Sequence, residues 1–231
     1  MFFTMQHSDS LQTNKERTIV ATPTMPYEFV AANADSYARQ DLEAFVKDGF
    51  AKKYQADVNT FMPILFGIKA QGLRAVMGVR RGTQPLFVEQ YLPVSITESL
   101  EKHGIWTKRT CVAELGNLYS QNQRFTLPLL MTVVMGLYLS EVNYLVFAGT
   151  DKVRQLLGKL KLPLTFLADA NPNLLKNDDT QWGSYYDNNP KVMFLDVKKA
   201  VALALQQPEL EALMDLVQAN FQHLLQQLRN A

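Results

Sequence analysis

The stretch ELGNLYSQNQRF, residues Glu114–Phe125, lies between two apolar segments and decides the predicted fold. The residues before it, TCVA (110–113), have the pattern of a buried strand, and the residues after it, TLPLLMTVVMGLYL (126–139), have that of an apolar helix. The first N–H groups of a helix have no internal partner and carry partial positive charge. A strand that leads through a polar loop into a helix therefore predicts an anion-binding site at this junction.

Residue types within this stretch suggest how a cleft forms beside the strand. Gly116 can open a strand edge or form a bulge, which separates the strand from its neighbour and leaves main-chain groups free for a ligand. Glu114 would then lie beside the cleft as a base, and Arg124 would offer a bidentate donor to phosphate. The alternative stays open: an ordinary turn at Gly116, with Glu114 and Arg124 on the surface.

Composition indicates a globular domain in a reducing compartment. The chain has 231 residues, of which 47 % are hydrophobic and 19 % are charged, enough for one domain with a sizeable core. The chain has 23 Lys and Arg residues and 22 Asp and Glu residues, so its net charge is close to zero and does not attract a polyanion. No nucleic-acid partner is therefore expected. A single cysteine, Cys111, excludes a disulfide-held fold; we expect it to be a small buried strand residue, and we expect a cytoplasmic location.

The most apolar segment is too short to predict a membrane span. Its uncharged run extends over 125–140 and is followed by Glu141 and Asn143, whereas a bilayer needs about 20 apolar residues. We therefore expect no integral membrane segment here. A buried helix followed by a buried strand, YLVFAG (144–149), explains the same residues.

Hydrophobic periodicity and turn residues predict an α/β (α+β) fold, with a mixed, mostly antiparallel central sheet flanked by helices. Short connections between three β-rich runs imply antiparallel neighbours. Ser95 and Glu98 have the spacing of a capping box at the start of a short helix. The predicted strands are 17–22, 61–70, 73–81, 85–92, 110–118, 144–148, 164–169 and 191–197, and the predicted helices are 35–56, 95–104, from 127 onward, 151–159 and 198–206.

The chain is predicted to have three parts: a mobile N-terminal tail (1–16), a compact domain (17–197) and a C-terminal helical extension (198–231). The extension carries apolar residues at helical spacing: Leu210, Leu213, Val217, Phe221, Leu224 and Leu228. This seam either packs on the domain or forms a homodimer, and both alternatives stay open. Membrane-surface binding is less favoured, because Arg229 is the one basic residue of the last helix.

Three motifs in this order resemble the thermostable hemolysin family of Gram-negative bacteria: LFVEQYL (86–92), VAELGNLYS (112–120) and WGSYYDNNPKVMFLDV (182–197). The resemblance extends over about 29–197. The order of elements is similar to the GNAT acyltransferase fold, which this family and the acyl-homoserine-lactone synthases are thought to share. That fold holds an acyl thioester between its two central strands. The resemblance thus implies acyl transfer from a coenzyme A or acyl-carrier-protein thioester to an amine, with no tightly bound cofactor.

The resemblance also implies residues that bind the donor. The thioester arm would be lined by Asn117, Leu118 and Tyr119, and its phosphate end would be held by Gln121, Gln123, Arg124, Phe125 and Thr126. The superfamily loop is usually Gln/Arg-x-x-Gly-x-Gly/Ala, and this chain has arginine and threonine at the glycine positions. Such bulk hinders close backbone approach to the pyrophosphate of coenzyme A and affects an acyl-carrier-protein thioester less.

The candidate catalytic residues are Glu114 as the base and Glu89 as a second acid near the cleft. The resemblance also implies a tyrosine acid on the helix after the next strand, where this chain has none; Tyr185 is the candidate to replace it, with Tyr186, Tyr91 and Tyr119 as alternatives. Alternatively, Tyr185 belongs to a loop anchored by packed aromatic rings, and Glu89 is a strand-face residue. The three histidines are scattered along the chain, so no metal site is expected. Two further functions stay open: hemolytic activity on membranes, as the family name implies, and a ligand-binding module without catalysis.

Overall fold

The computed structural model describes residues 28–176 and 181–206, which form one sheet with helices on both faces. The strands are β1 (Glu28–Ala32), β2 (Ile64–Lys69), β3 (Leu73–Arg81), β4 (Val112–Ser120), β5 (Tyr144–Gly149), β6 (Leu164–Asp169) and β7 (Lys191–Asp196). The α-helices are α1 (Arg39–Tyr54), α2 (Ile96–Glu101), α3 (Gln123–Leu139), α4 (Asp151–Lys159) and α5 (Val197–Ala204). Across these residues the strand order is β1-β2-β3-β4-β5-β7-β6.

The sheet is mixed and mostly antiparallel. β4 and β5 are parallel at its centre, while the other neighbouring pairs of this sheet are antiparallel. Parallel neighbours require a crossover connection, which α3 provides between β4 and β5. The predicted fold class is therefore confirmed.

The alternation of side chains along each strand divides the core between the two faces of the sheet. On one face, α3, α4 and α5 pack on strand residues such as Phe66, Met77 and Leu145. On the other face, α1 packs on β1–β4. At the far side of that face, α2 and the 3-10 helix Phe87–Tyr91 pack over β5 and β7. The sheet thus separates a layer of three helices from a layer formed by α1 at one side and by α2 with the 3-10 helix at the other.

One predicted strand is wrong. The run PLFVEQYL (85–92) contains the 3-10 helix Phe87–Tyr91 instead of a third β-run. Its N–H groups donate to the carboxylates of Glu89 and Glu114 rather than to a neighbouring strand. The third strand of the antiparallel series is β1, which the sequence did not predict.

Several smaller expectations are confirmed or corrected. The capping box of Ser95 and Glu98 is present at the start of α2, and α4 has the predicted bounds. The α3 helix begins earlier than predicted, because the side chain of Asn122 caps it. Cys111 is a partly exposed residue of a 3-10 turn before β4, not a buried residue within a strand.

Some predicted elements lie outside the described residues. They are the first strand (17–22), the last helix with its apolar seam, and with them the predicted tail and homodimer contact. Within residues 28–176 and 181–206, every helix is too short or too polar to cross a bilayer.

Candidate active site

The two parallel strands at the centre of the sheet separate before they end. β4 and β5 pair from Val112 opposite Tyr144 to Leu115 opposite Phe147, and their pairing stops there. Beyond that point β4 stays paired with β3 up to Ser120, whereas β5 stays paired with β7. The two halves of the sheet therefore diverge and open a wedge between β4 and β5.

A β-bulge in β4 lies at the start of the wedge. Gly116 pairs with Gly78 and Tyr119 pairs with Val76, so that two residues of β4 oppose one residue of β3. The bulged residue Asn117 has φ 49°, a left-handed conformation that asparagine tolerates better than most residues. The bulge forms one residue after the glycine that the sequence singled out.

The side chain of Asn117 fixes this bulge to the chain before β2. Its Oδ1 accepts the Met62 N–H at 2.7 Å, and its Nδ2 donates to the Thr60 carbonyl at 3.2 Å. At Gly116, a Cβ atom would lie 2.3 Å from Cε of Met62, so the glycine permits this close approach. Asn117 therefore acts first as a structural anchor of the wedge.

A cavity of about 210 Å³ occupies the wedge and is lined from both faces of the sheet. From the α1 face it is lined by Phe50, Tyr54, Phe61, Met62, Phe87, Trp182 and Tyr185. From the face of α3 and α4 it is lined by Leu118, Thr126, Val153 and Leu156. Two reactants can therefore approach the centre of the wedge from opposite faces.

Glu114 is the buried carboxylate of this cavity. Its side chain is 1 % exposed, and its two oxygens accept the N–H groups of Phe87 and Val88 at 2.8 Å each. The guanidinium of Arg80 lies 3.7 Å away. Burial raises the pKa of Glu114 to about 7, although the two N–H donors and Arg80 act to lower it. The carboxyl therefore exchanges a proton near neutral pH, as a general base requires.

Tyr185 lines the cavity as part of an aromatic cluster. Its hydroxyl donates to the Ala148 carbonyl at 3.2 Å, and its ring lies 5.3 Å from those of Tyr54 and Trp182. Burial, together with neighbouring tyrosines, raises the pKa of Tyr185, so its hydroxyl stays neutral. The packed-aromatic alternative describes its surroundings, while its predicted role as an acid stays a prediction.

Glu89 lies outside the cavity lining and holds the 3-10 helix. It is paired with Arg109 and accepts the N–H groups of Leu86 and Ile96 at 3.1 and 2.9 Å. Burial opposes ionisation, but these hydrogen bonds outweigh it and lower the pKa of Glu89. The carboxylate is thus a structural partner of Arg109 and does not line the cavity.

The structure divides the predicted donor-binding residues into two groups. Those that line the cavity are Asn117, Leu118, Gln123 and Thr126; those that do not are Tyr119, Gln121, Arg124 and Phe125. The extra residue of the bulge turns Tyr119 toward α1, where its ring lies 5.3 Å from that of Phe45.

The other three residues outside the cavity have their own partners. Gln121 bonds Arg74 through both its N–H and its side chain. Phe125, in the first turn of α3, is buried in the core, and the Arg124 guanidinium lies 4.6 Å from the centre of its ring. The predicted phosphate ligands Gln121 and Arg124 are therefore not brought together with the wedge.

Sequence reasoning missed polar residues that the cavity gathers from distant elements. Arg80 comes from β3, and Thr150 and Lys152 come from the start of α4. The junction of β5 and α4 has the same strand-to-helix pattern as the junction after β4, so the sequence could have predicted Thr150 as a site residue. For Arg80 the sequence offered no signal. In residues 28–176 and 181–206, no cluster of three metal-ligand side chains occurs.

Solved structures with a similar fold include synthases of acyl-homoserine lactones and of N-acyl amino acids, as their names state. The AHL synthase LasI superposes with a TM-score of 0.52 and 10 % identity, over 74 % of this chain and 90 % of LasI. The CoA-dependent acyl-homoserine lactone synthase BjaI gives 0.53 and 10 %, over 78 % and 89 %. FeeM, an N-acyl amino acid synthase from uncultured soil microbes, gives 0.52 and 14 %, over 77 % and 94 %. These likenesses confirm the GNAT-like fold.

Family membership rests on a comparison of a different kind. No curated protein matches this chain significantly. The family model described as "Thermostable hemolysin", however, matches residues 32–201, which include the whole wedge and most of the sheet. The chain therefore belongs to the thermostable hemolysin family, as its three motifs indicated.

Proposed function

We propose that this protein is an acyltransferase that moves an acyl group from a coenzyme A or acyl-carrier-protein thioester to an amine. The observation that carries the proposal is the wedge between β4 and β5, with a cavity lined from both faces and the Glu114 carboxylate within it. FeeM is named as an N-acyl amino acid synthase and BjaI as a CoA-dependent acyl-homoserine lactone synthase. These acylated products on a similar fold support acyl transfer as the reaction class here.

The donor fits the side of the wedge that faces α3 and α4. Beyond Leu115, the edge of β4 has no pairing with β5, so its main-chain groups are available to the amides of a pantetheine arm. Apolar side chains of Leu118, Val153 and Leu156 line this side and suit a hydrocarbon chain. The thioester carbonyl would then lie near Gly116.

The acceptor fits the side that faces the 3-10 helix, where Glu114 and Arg80 lie. Among the described residues, the Arg80 guanidinium contacts the Pro85 carbonyl at 3.4 Å and Glu114 at 3.7 Å, which leaves donors unused. A guanidinium with free donors binds a carboxylate. We therefore propose an amine that also carries a carboxylate, such as an amino acid, and the name of FeeM supports this class.

The acceptor nitrogen loses two protons when an ammonium becomes an amide. Glu114 takes the first from the ammonium, directly or through a water, and passes it to solvent, and the free amine attacks the thioester carbonyl. The C–N bond forms, Glu114 takes the second proton from the nitrogen of the tetrahedral intermediate, the C–S bond breaks, and the thiolate leaves with the proton that Glu114 returns. The Tyr185 hydroxyl would have to leave the Ala148 carbonyl to act on the thiolate, so we assign the primary transfer to Glu114.

The test is binding followed by turnover with purified protein. Thermal shift and calorimetry with acetyl-CoA, longer acyl-CoAs and an acyl carrier protein loaded with the same chains should reveal a stabilising donor. Thiol release is then measured with a panel of amines and amino acids. Glu114→Gln should lower kcat by about 10²- to 10⁴-fold, whereas Glu141→Gln, an exposed glutamate at the end of α3, should not.

Each outcome has a meaning. If no thioester of either kind binds, the proposed function is wrong. If thioesters bind but no amine releases thiol, the protein is a ligand-binding module that has kept the fold without the reaction. Equal turnover by the wild type and Glu114→Gln would remove this residue from the mechanism.

A further inference from the structure

Two helices begin at the same end of the wedge. Because β4 and β5 are parallel, their carboxyl ends lie at one edge of the sheet, and α3 and α4 both start there. Ligands of open α/β sheets bind outside the carboxyl ends of the strands. Thr126 of α3 and Thr150 before α4 both line the cavity at this edge. Each helix start is therefore a candidate for the anionic part of a ligand.

The start of α3 is occupied by its own chain. The Asn122 side chain accepts the Arg124 N–H at 3.0 Å, and the Asn122 carbonyl accepts the Phe125 N–H at 3.0 Å. These N–H groups are among those that a phosphate would otherwise use. The Arg124 guanidinium lies over the ring of Phe125 and not in the cavity. A ligand phosphate would have to displace the asparagine cap.

The start of α4 has no such cap. Its N-cap residue, Thr150, is 5 % exposed and makes no side-chain capping bond. In the part of the chain that the structure describes, the Thr150 hydroxyl has no hydrogen-bond partner, and the same holds for the Thr126 hydroxyl, whose residue is 8 % exposed. Within residues 28–176 and 181–206, the side-chain oxygen that is both inaccessible and unpaired is that of Ser140, so the Thr126 and Thr150 hydroxyls are open to the cavity although their residues are more than nine-tenths buried. Two unpaired hydroxyls at one cavity can bind a polar ligand between them.

Further donors surround the Thr150 hydroxyl. The Thr150 carbonyl accepts the Arg154 N–H at 3.0 Å, so the N–H groups of Asp151, Lys152 and Val153 precede the first internal bond of the helix. Lys152 and Val153 line the cavity, and Lys152 brings a positive charge to it. This helix start therefore combines a hydroxyl, unpaired N–H groups and an ammonium.

One negative charge lies in the same turn and is compensated. The Asp151 carboxylate is ion-paired with Arg154 and also accepts from the side chain of Asn189 at 3.3 Å. Arg154 additionally donates to the carbonyls of Gly149 and Asn189, which hold it beside the aspartate. With this pair neutralised, Lys152 decides the sign of the local charge, and the site attracts an anion.

We infer that the start of α4, with Thr150 and Lys152, binds the phosphate of a phosphopantetheine thioester, and that Thr126 completes the site from α3. This phosphate is common to coenzyme A and to acyl carrier protein. The inference rests on the proposed function and changes its donor site: the phosphate lies on α4 and not on the loop 121–126. The thioester arm then runs from Thr150 along the open edge of β4.

The experiment compares donors that differ by this phosphate. Acyl-pantetheine, acyl-4′-phosphopantetheine, acyl-CoA and acyl carrier protein with the same acyl chain are measured by calorimetry and by kcat/KM. The wild type should prefer phosphopantetheine over pantetheine by about tenfold. Lys152→Met and Thr150→Val should each remove most of that preference, because they should lower the kcat/KM of acyl-4′-phosphopantetheine far more than that of acyl-pantetheine. Lys159→Met, on the last turn of the same helix and outside the cavity, is the matched control.

A comparison of acyl-CoA with acyl carrier protein also separates the two sources of the phosphate. A loss that Lys152→Met causes with both acyl-CoA and acyl carrier protein supports the shared phosphate, whereas a loss with acyl-CoA alone places the lysine on the nucleotide and overturns the inference. Equal binding of pantetheine and phosphopantetheine thioesters also overturns the inference. So does a preference for phosphopantetheine that Arg124→Met removes but Lys152→Met leaves in place. Absence of binding for every thioester, pantetheine included, rejects the proposed function instead. Because Lys152 is exposed, its variant keeps the test valid even if Thr150→Val does not fold.

Discussion

The pH dependence of stability tests the environment of Glu114 without any substrate. Its pKa is about 7 in the folded protein against 4.5 for a free glutamate, and each pKa unit corresponds to about 1.4 kcal/mol. A raised pKa means that the folded state holds the proton more tightly than the unfolded state. The free energy of unfolding should therefore fall as the pH rises from about 4.5 to about 7, by about 3 kcal/mol from this group, and level off above.

Glu114→Gln removes this titration and keeps the side-chain volume. The amide offers one acceptor oxygen where the carboxylate offers two, so one of the N–H groups of Phe87 and Val88 loses its partner, at a cost of about 1–3 kcal/mol. That cost is the same at every pH. Relative to the wild type, the variant should therefore gain about 3 kcal/mol between about pH 4.5 and about pH 7.5, whatever its starting difference.

The assay is urea unfolding at closely spaced pH values, followed by tryptophan fluorescence, for the wild type, Glu114→Gln and the exposed control Glu141→Gln. The control should stay parallel to the wild type throughout. If the curves of Glu114→Gln and the wild type are parallel, or if they diverge in the opposite direction, the carboxyl does not carry a raised pKa and the argument for a base near neutral pH is lost.

Three further changes test the parts around this residue. At Gly49, an added Cβ would lie 2.2 Å from the Tyr119 ring, so Gly49→Ala should lower the free energy of unfolding by about 1–2 kcal/mol despite a better helix propensity; stability equal to the wild type would argue against the bulge that turns Tyr119 toward α1. Glu89→Gln should weaken the bond to Arg109 and destabilise the protein by about 1–2 kcal/mol, with a double-mutant cycle with Arg109→Met as the measurement; additive effects would disprove the coupling. Arg80→Met should raise KM about tenfold for amines with a carboxylate and little for amines without one, so equal increases would exclude Arg80 as the carboxylate ligand.

Local patterns in the sequence were sufficient for most elements of the wedge. The periodicity of YLVFAG and of the apolar run after Phe125 predicted β5 and α3, and the Gly-Asn step marked the irregularity in β4 within one residue. Such signals are local, because they depend on the spacing of residues within a single strand or helix. They therefore predicted the frame of the site correctly.

The errors arise where distant residues decide the structure. LFVEQYL (86–92) has a β-like composition, but Glu114 takes two of its N–H groups and Glu89 a third, which favours a 3-10 helix. The bulge reverses the side on which Tyr119 lies, and so a residue expected in the donor site packs under α1. Neither effect can be read from spacing within one element.

The position of Glu114 explains how a buried carboxylate is kept in an aromatic cavity. Even with the Arg80 guanidinium 3.7 Å away, an ionised carboxylate is costly there, whereas the neutral acid costs less, and burial accordingly favours the proton. An entering ammonium ion reverses this preference, because it adds a second positive charge beside the carboxyl. The proton is then shared between two groups that titrate as a pair. Glu114 also accepts the N–H groups of Phe87 and Val88 in the 3-10 helix. The same carboxylate that would deprotonate the acceptor therefore also holds the 3-10 helix that lines the acceptor side of the cavity. An acceptor without a positive charge gains nothing from this arrangement, which is a physical reason to expect amines, and not alcohols, as acceptors.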